Sequence, residues 1–191
     1  MNICIYGASS IKTSQEYIEA VEKLGEALAK NGHGLVFGGG ASGLMGAAAR
    51  GFTKCGGKIT GVAPRFFDAD GILYDKCTEF IFTDTMRERK KILEDKSDVF
   101  IVCPGGVGTF DEFFEIITLK QLGRHNKEVI IFNTGNYFDE LINMMNKAFK
   151  EDFLTEKTLS LYEVAHSEEE VLEFIKTYKG SNSDIKDTKY I

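Results

Sequence analysis

One stretch limits what this chain can become more than any other. The apolar run Asp98-Val99-Phe100-Ile101-Val102 breaks into Cys103-Pro104-Gly105-Gly106-Val107-Gly108-Thr109, after which Phe110, Phe113, Phe114 and Ile117 repeat at helical spacing. A buried strand, a glycine turn and a helix in that order gather unpaired backbone N–H groups at one mouth, where the helix dipole also favours an anion. Glycine lets a phosphate approach the backbone closely, and Thr109 adds a hydroxyl donor. Glu112 follows Thr109 by three positions and Gly108 by four, and helical side chains lean toward the N-terminus, so its carboxylate faces the same mouth. A carboxylate repels a phosphate, so its place is farther along the ligand, which in a nucleotide is the ribose. The competing reading of Glu112 is a solvated acid that complements the start of the helix.

Two more turns share this form. Leu35-Val36-Phe37 runs into Gly38-Gly39-Gly40-Ala41-Ser42-Gly43-Leu44-Met45-Gly46 and then Ala47-Ala48-Ala49, while Asn2-Ile3-Cys4-Ile5-Tyr6 runs into Gly7-Ala8-Ser9-Ser10. A glycine triplet alone is a weak dinucleotide signal. The next strand, Lys58 to Ala63, also lacks the acid at its end that would hold an NAD ribose. A mononucleotide fits better, and three turns at strand C-termini imply one crevice.

Strand and helix patterns alternate throughout, which predicts an α/β fold with a mainly parallel sheet of about seven strands. Thr13-Ser14-Gln15-Glu16 has capping-box spacing ahead of Ile18, Val21, Leu24 and Leu28, with Gly32 as the stop. Further strands are expected near Leu35 and Ile59 and at Glu79 to Phe82, with a loop through Pro64 to Lys76, and a helix from about Asp84 carries Met86, Arg89, Lys90 and Leu93. Then come a strand at Glu128 to Phe132, a helix from Tyr137 to Phe149, a short strand from Leu159 to Ala165 and a helix from Glu168 to Tyr178. Residues 1–179 are expected to form one nucleotide-binding domain, with a frayed polar tail over 180–191. Arg89, within two turns of a strand end, can pair with a phosphate or fix a carboxylate, or it is a plain solvated charge. Gly123 reads as a helix C-cap, and His125 and Lys127 as charges favourable at that C-terminus.

A net charge of −6 argues against a nucleic-acid surface. No apolar run reaches the length of a membrane span, and Met1 leads directly into a strand, so no membrane and a cytoplasmic location are expected. Cys4, Cys55, Cys77 and Cys103 form no C-x-x-C pair and read as reduced thiols. No histidine lies at ligand spacing from them, so no metal site is expected.

The Pro104 to Glu112 run, the Gly38 to Gly46 run, Met86-x-x-Arg89-Lys90 and Gln121-Leu122-Gly123-x-His125-x-Lys127 together resemble the LOG ("Lonely guy") family of cytokinin-activating enzymes, formerly labelled lysine decarboxylases. The resemblance covers roughly the first 175 residues. It implies a Rossmann-like three-layer sandwich with helices on both sheet faces, a homodimer or higher assembly, and no cofactor. The implied activity is a nucleoside 5′-monophosphate phosphoribohydrolase releasing a free base, adenine or an N6-modified adenine, and ribose 5-phosphate. By motif, Arg89 and Glu112 match the catalytic pair. Ser9, Gly39, Gly40, Gly43, Met86, Lys90, Gly105, Gly106, Val107, Gly108 and Thr109 match the substrate and phosphate site. Many relatives carry an Asp and a His at Thr85 and Arg87, a Trp at Leu119 and a Pro at Glu128, departures that bear on which base is accepted. Two other classes stay open. A nonenzymatic nucleotide or molybdenum-cofactor carrier could use the same cradle, although having both Arg89 and Glu112 argues against it. A pyridoxal decarboxylase would need a Schiff-base lysine in a larger framework, and no such lysine stands out.

Overall fold

The alternation of buried apolar runs and amphipathic segments folds as a single seven-stranded sheet. A computed structural model describes residues 1–69 and 71–180, so the expected tail falls, from residue 181 on, outside the described residues. The strands are β1 (Asn2–Tyr6), β2 (Gly34–Phe37), β3 (Ile59–Pro64), β4 (Glu79–Thr83), β5 (Val99–Val102), β6 (Glu128–Phe132) and β7 (Glu163–Ala165). They lie in the order β4-β3-β2-β1-β5-β6-β7 with every ladder parallel.

Alternate strand residues feed two cores, because successive side chains point to opposite faces. Ile3 and Ile5 of β1 and Leu35 and Phe37 of β2 pack under α1 (Gln15–Lys30), α2 (Gly43–Lys54) and α7 (Glu168–Thr177). Cys4 and Tyr6 of β1 and Phe100 and Val102 of β5 pack under α3 (Met86–Lys96), α4 (Val107–Gln121) and α5 (Asp139–Lys150). Both faces are thus covered, as an all-parallel sheet requires. The chain winds outward from β1 to β4, then returns through α3 to place β5 on the other side of β1. This reversal leaves the C-terminal ends of β1 and β5 side by side, the position where open α/β sheets bind ligands.

Three local expectations are displaced. The capping-box spacing at Thr13 is unused: α1 begins after Ser14, and the Thr13 hydroxyl instead donates to Ser10 O at 2.9 Å. A reciprocal box does form one helix earlier than the glycine turn, where Thr85 and Glu88 start α3. The strand expected over Leu159 to Ala165 splits into a short helix α6 (Glu156–Leu159), a turn and β7, because Leu161 and Tyr162 leave the extended path to fill the α3/α4 core. The helix expected from Tyr137 starts at Asp139, where the Asn133 side chain accepts from Phe138 N at 2.7 Å and donates to Asp139 at 2.8 Å.

Candidate active site

The three small-residue turns meet at Ala8. Its N–H donates to Pro104 O after β5 at 3.0 Å, and its carbonyl accepts from Leu44 N at the start of α2 at 2.7 Å. Beside this junction lies a cavity of about 570 Å³ lined from all three turns, from the first turns of α3 and α4, and from the loop after β3. That loop is sewn onto the second glycine turn through Tyr74 N to Gly39 O at 2.8 Å and Ala41 N to Ile72 O at 2.9 Å, which makes Phe67, Gly71, Ile72 and Leu73 a wall.

Helix α4 opens with Gly106 as its N-cap and no side chain capping it, so the N–H groups of its first turn are not taken by a cap. A Cβ built at Gly106 or Gly108 would meet no protein atom within 4 Å, so the space beside both is open. Gly105 is different: a Cβ there would sit 2.1 Å from Thr109 Oγ1, so this glycine makes room for the buried Thr109 hydroxyl. Gly106, Gly108 and Thr109 line the cavity, and Gly105 lies behind them with its carbonyl accepting from Tyr137 OH at 2.6 Å.

At the inner wall, Arg89 Nη1 meets Glu112 Oε1 at 2.8 Å, with side-chain exposures of only 8% and 11%. Burial pushes the Glu112 carboxyl above its ordinary range, and the Arg89 guanidinium pulls the other way. The buried Arg89 Nε has no hydrogen-bond partner among the described residues. The far side of the guanidinium rests on Gly38, where a Cβ would lie 2.1 Å from Nη2. Tyr6 and Cys4 lie beneath the pair, and burial together with the field of Glu112 raises both their pKa values.

The expected site residues separate into two groups. Ser9, Gly40, Met86, Arg89, Gly106, Gly108, Thr109 and Glu112 come together around the cavity. Gly39 turns away with φ +79°, its Cβ position filled by Phe80 at 2.6 Å. Gly43, with φ +60°, packs against Ala8 O. Val107 is 84% exposed and Gly105 sits behind Thr109, so neither lines the cavity. Lys90 points outward, with Nζ at 3.0 Å from Asp111 Oδ2 and 2.7 Å from Glu115 Oε2. Sequence reasoning missed Ile11, Met45, Phe67, Ile72 and Leu73, which give the cavity its apolar wall. The signal available for Phe67 and Ile72 was large apolar side chains in a segment with neither helical nor strand periodicity. No group of three or more His, Cys, Asp or Glu is placed to hold a metal ion, and no helix is long and apolar enough to cross a membrane, among the described residues.

Comparison with known proteins gives consistent matches. Residues 45–175 match the family described as "Possible lysine decarboxylase". A cytokinin riboside 5′-monophosphate phosphoribohydrolase of Mycobacterium tuberculosis is 42% identical over 144 residues, 75% of this chain and 76% of that one. One from Arabidopsis thaliana is 31% identical over 182 residues, covering 95% and 85%. Among solved structures, the molybdenum cofactor carrier protein of Chlamydomonas reinhardtii superposes with a TM-score of 0.71 at 22% identity over 92% of this chain and 95% of that one. The molybdenum cofactor binding protein of Rippkaea orientalis gives 0.70 at 23%, with the same coverage.

Proposed function

Since the chain belongs to the LOG family, whose relatives are named phosphoribohydrolases, we propose that it is a hydrolase of N-glycosyl compounds that splits a nucleoside 5′-monophosphate into free base and ribose 5-phosphate. As substrate we propose AMP or an N6-substituted AMP. The observation that carries this reading is the buried Arg89–Glu112 pair in the wall of a cavity that opens on an uncapped helix N-terminus.

In this reading the phosphate takes the N–H groups of the α4 first turn and the Thr109 hydroxyl, the ribose lies over Glu112, and the base lies against Met45, Phe67, Ile72 and Met86. As the C1′–N bond breaks, positive charge grows on the ribose, water oxygen joins C1′, and a proton goes to the leaving nitrogen. Glu112 opposes that charge or takes the proton of the attacking water, using the oxygen that Arg89 does not hold. Arg89 stays protonated, so it positions and balances charge rather than transferring a proton. The reaction calls for no cofactor.

No lysine lines the cavity among the described residues, whereas a pyridoxal decarboxylase needs one for its Schiff base. The likeness to molybdenum-cofactor carriers, at 22–23% identity, is one of fold. Incubation with a panel of nucleoside monophosphates and matching nucleosides, with free bases separated by chromatography, tests the reading. AMP or its N6-substituted form should be split and the matching nucleoside left almost untouched, because the remote phosphate supplies the binding energy that positions the ribose. Equal turnover of adenosine and AMP would remove the phosphate from the mechanism.

We further propose a cytoplasmic enzyme that is at least a homodimer. On α4, Phe113, Ile116 and Ile117 are buried in the core, while Phe114 remains 42% and Val107 84% exposed. Ile11, Ile72 and Met86 add exposed apolar surface at the cavity mouth. Light scattering at micromolar concentration should give a mass of at least two chains, and a strictly monomeric, fully active protein would defeat the assignment.

A further inference from the structure

Helices α3 and α4 each supply one member of the Arg89–Glu112 pair from their N-terminal halves, and Lys90 ties the same ends together from outside. The next turn of each helix is held from the segment between α4 and β6. His125 Nδ1 accepts from Lys127 N at 3.2 Å, so Nε2 carries the ring hydrogen and donates to Ile116 O of α4 at 2.9 Å. Burial holds this imidazole down at about 4, so it is neutral at physiological pH. Lys127 Nζ crosses to α3 and donates to Glu94 O at 2.6 Å, standing 5.7 Å from the centre of the Phe100 ring. The expectation that both residues serve the α4 C-terminus as charges is therefore corrected: one is uncharged, and the other acts on the neighbouring helix.

Glu94 lies five positions after Arg89 and Ile116 four after Glu112, so the grips sit about 6–8 Å along each axis from the pair. A helix is stiff over that length, and a slip at the grip reaches the pair undiminished. Underneath, the fully buried Phe100 touches both ends of the arrangement. Its ring is 5.7 Å from that of His125 and stacks within 5° on that of Tyr6 at 6.0 Å, and Tyr6 lies in the field of Glu112.

We propose that Lys127 and His125 are positioning residues for the Arg89–Glu112 pair, fixing the axial register of α3 against α4 from outside the cavity. The catalytic consequence rests on the phosphoribohydrolase reading above; the geometric claim does not. Lys127→Met keeps the stem over Phe100 and removes the donor to Glu94 O, while Lys127→Arg keeps both a donor and a cation over the ring. Two readouts are taken: kcat and KM for the nucleotide, and the titration of Glu112 by carbon NMR of glutamate labelled at its carboxyl, assigned through Glu112→Gln. The groups facing Glu112 are Arg89 and Lys90 from α3, Asp111 beside it, and Tyr6 and Cys4 from β1; the substitution unseats only the α3 side.

Lys127→Met should lower kcat about ten- to a hundredfold with KM nearly unchanged, since small misplacements of reacting groups cost that much. The Glu112 titration should move upward, because the guanidinium that opposes burial is less well seated. Lys127→Arg should restore both. Unchanged kcat and Glu112 titration alongside a lowered melting temperature would reduce the segment to fold support and overturn the proposal. Should Lys127→Met fail to fold, His125→Phe, which keeps a ring beside Phe100 but cannot donate to Ile116 O, is read by the same criteria. An inactive wild-type protein would sink the phosphoribohydrolase reading, while the titration would still decide the positioning claim.

Discussion

Glu112→Gln is expected to lose at least about a hundredfold in turnover while still binding the nucleotide, the pattern of an interaction made chiefly in the transition state. The amide keeps the shape of the side chain, and its oxygen can still accept from Arg89 Nη1 in the place of the 2.8 Å ion pair. What disappears is the negative charge that would oppose the growing charge on the ribose. Ground-state binding should hold or tighten, because the freed positive charge of Arg89 lies in the cavity proposed to take the phosphate. Asp111→Asn is the control: Asp111 lines the same cavity but its side chain is 58% exposed and paired with Lys90, so its charge is screened and turnover should stay near normal. Turnover of Glu112→Gln close to that of the wild type, measured by release of free base, would leave Glu112 as no more than the fixed partner of Arg89.

The parts of this site legible in the sequence are those set by short-range geometry. A glycine turn between a buried strand and an amphipathic helix fixes where N–H groups point, and Glu112 follows from helical spacing alone. Even the helix start, at Val107, falls only three residues before the first apolar residue of the predicted stripe, Phe110. Arg89 was ambiguous because its role depends on a partner 23 positions away on another helix. The loop wall was hidden for a different reason. Ile72 and Leu73 are seated by the bonds from Ala41 N to Ile72 O and from Tyr74 N to Gly39 O, and backbone pairing of an irregular segment leaves no side-chain pattern to read.

Capping signals show the same division. Thr13-x-x-Glu16 and Thr85-x-x-Glu88 have equal spacing, yet only the second caps a helix. At the first, the chain is still turning between Ser10 and Thr13 when the box would have to form, and the Thr13 hydroxyl is engaged in that turn. The expected strand over 159–165 failed where Leu161 and Tyr162 answered to the distant packing of α3 and α4 rather than to local alternation. His125 and Lys127 likewise read as ordinary C-terminal charges until the second helix was in place to receive them.

Gly38→Ala is expected to cut turnover by about ten- to a hundredfold with little loss of stability, a separation that follows from what the added methyl would touch. The nearest atoms to a Cβ at Gly38 are Arg89 Nη2 at 2.1 Å, Arg89 Cζ at 3.2 Å and Met45 Sδ at 3.2 Å, all of them on side chains. The fold can therefore absorb the methyl by moving the guanidinium, and the cost falls on the alignment of Arg89 with Glu112. Gly46→Ala makes the contrast. Its Cβ would lie 2.0 Å from Ala41 O and 2.5 Å from Ala41 C, so backbone must shift in the glycine turn itself and the melting temperature should fall sharply. Free-base release and thermal melts on the two variants read the two costs separately. A fully active Gly38→Ala would mean that the guanidinium can leave its present seat without consequence, and Arg89 would then have no positional role in the reaction.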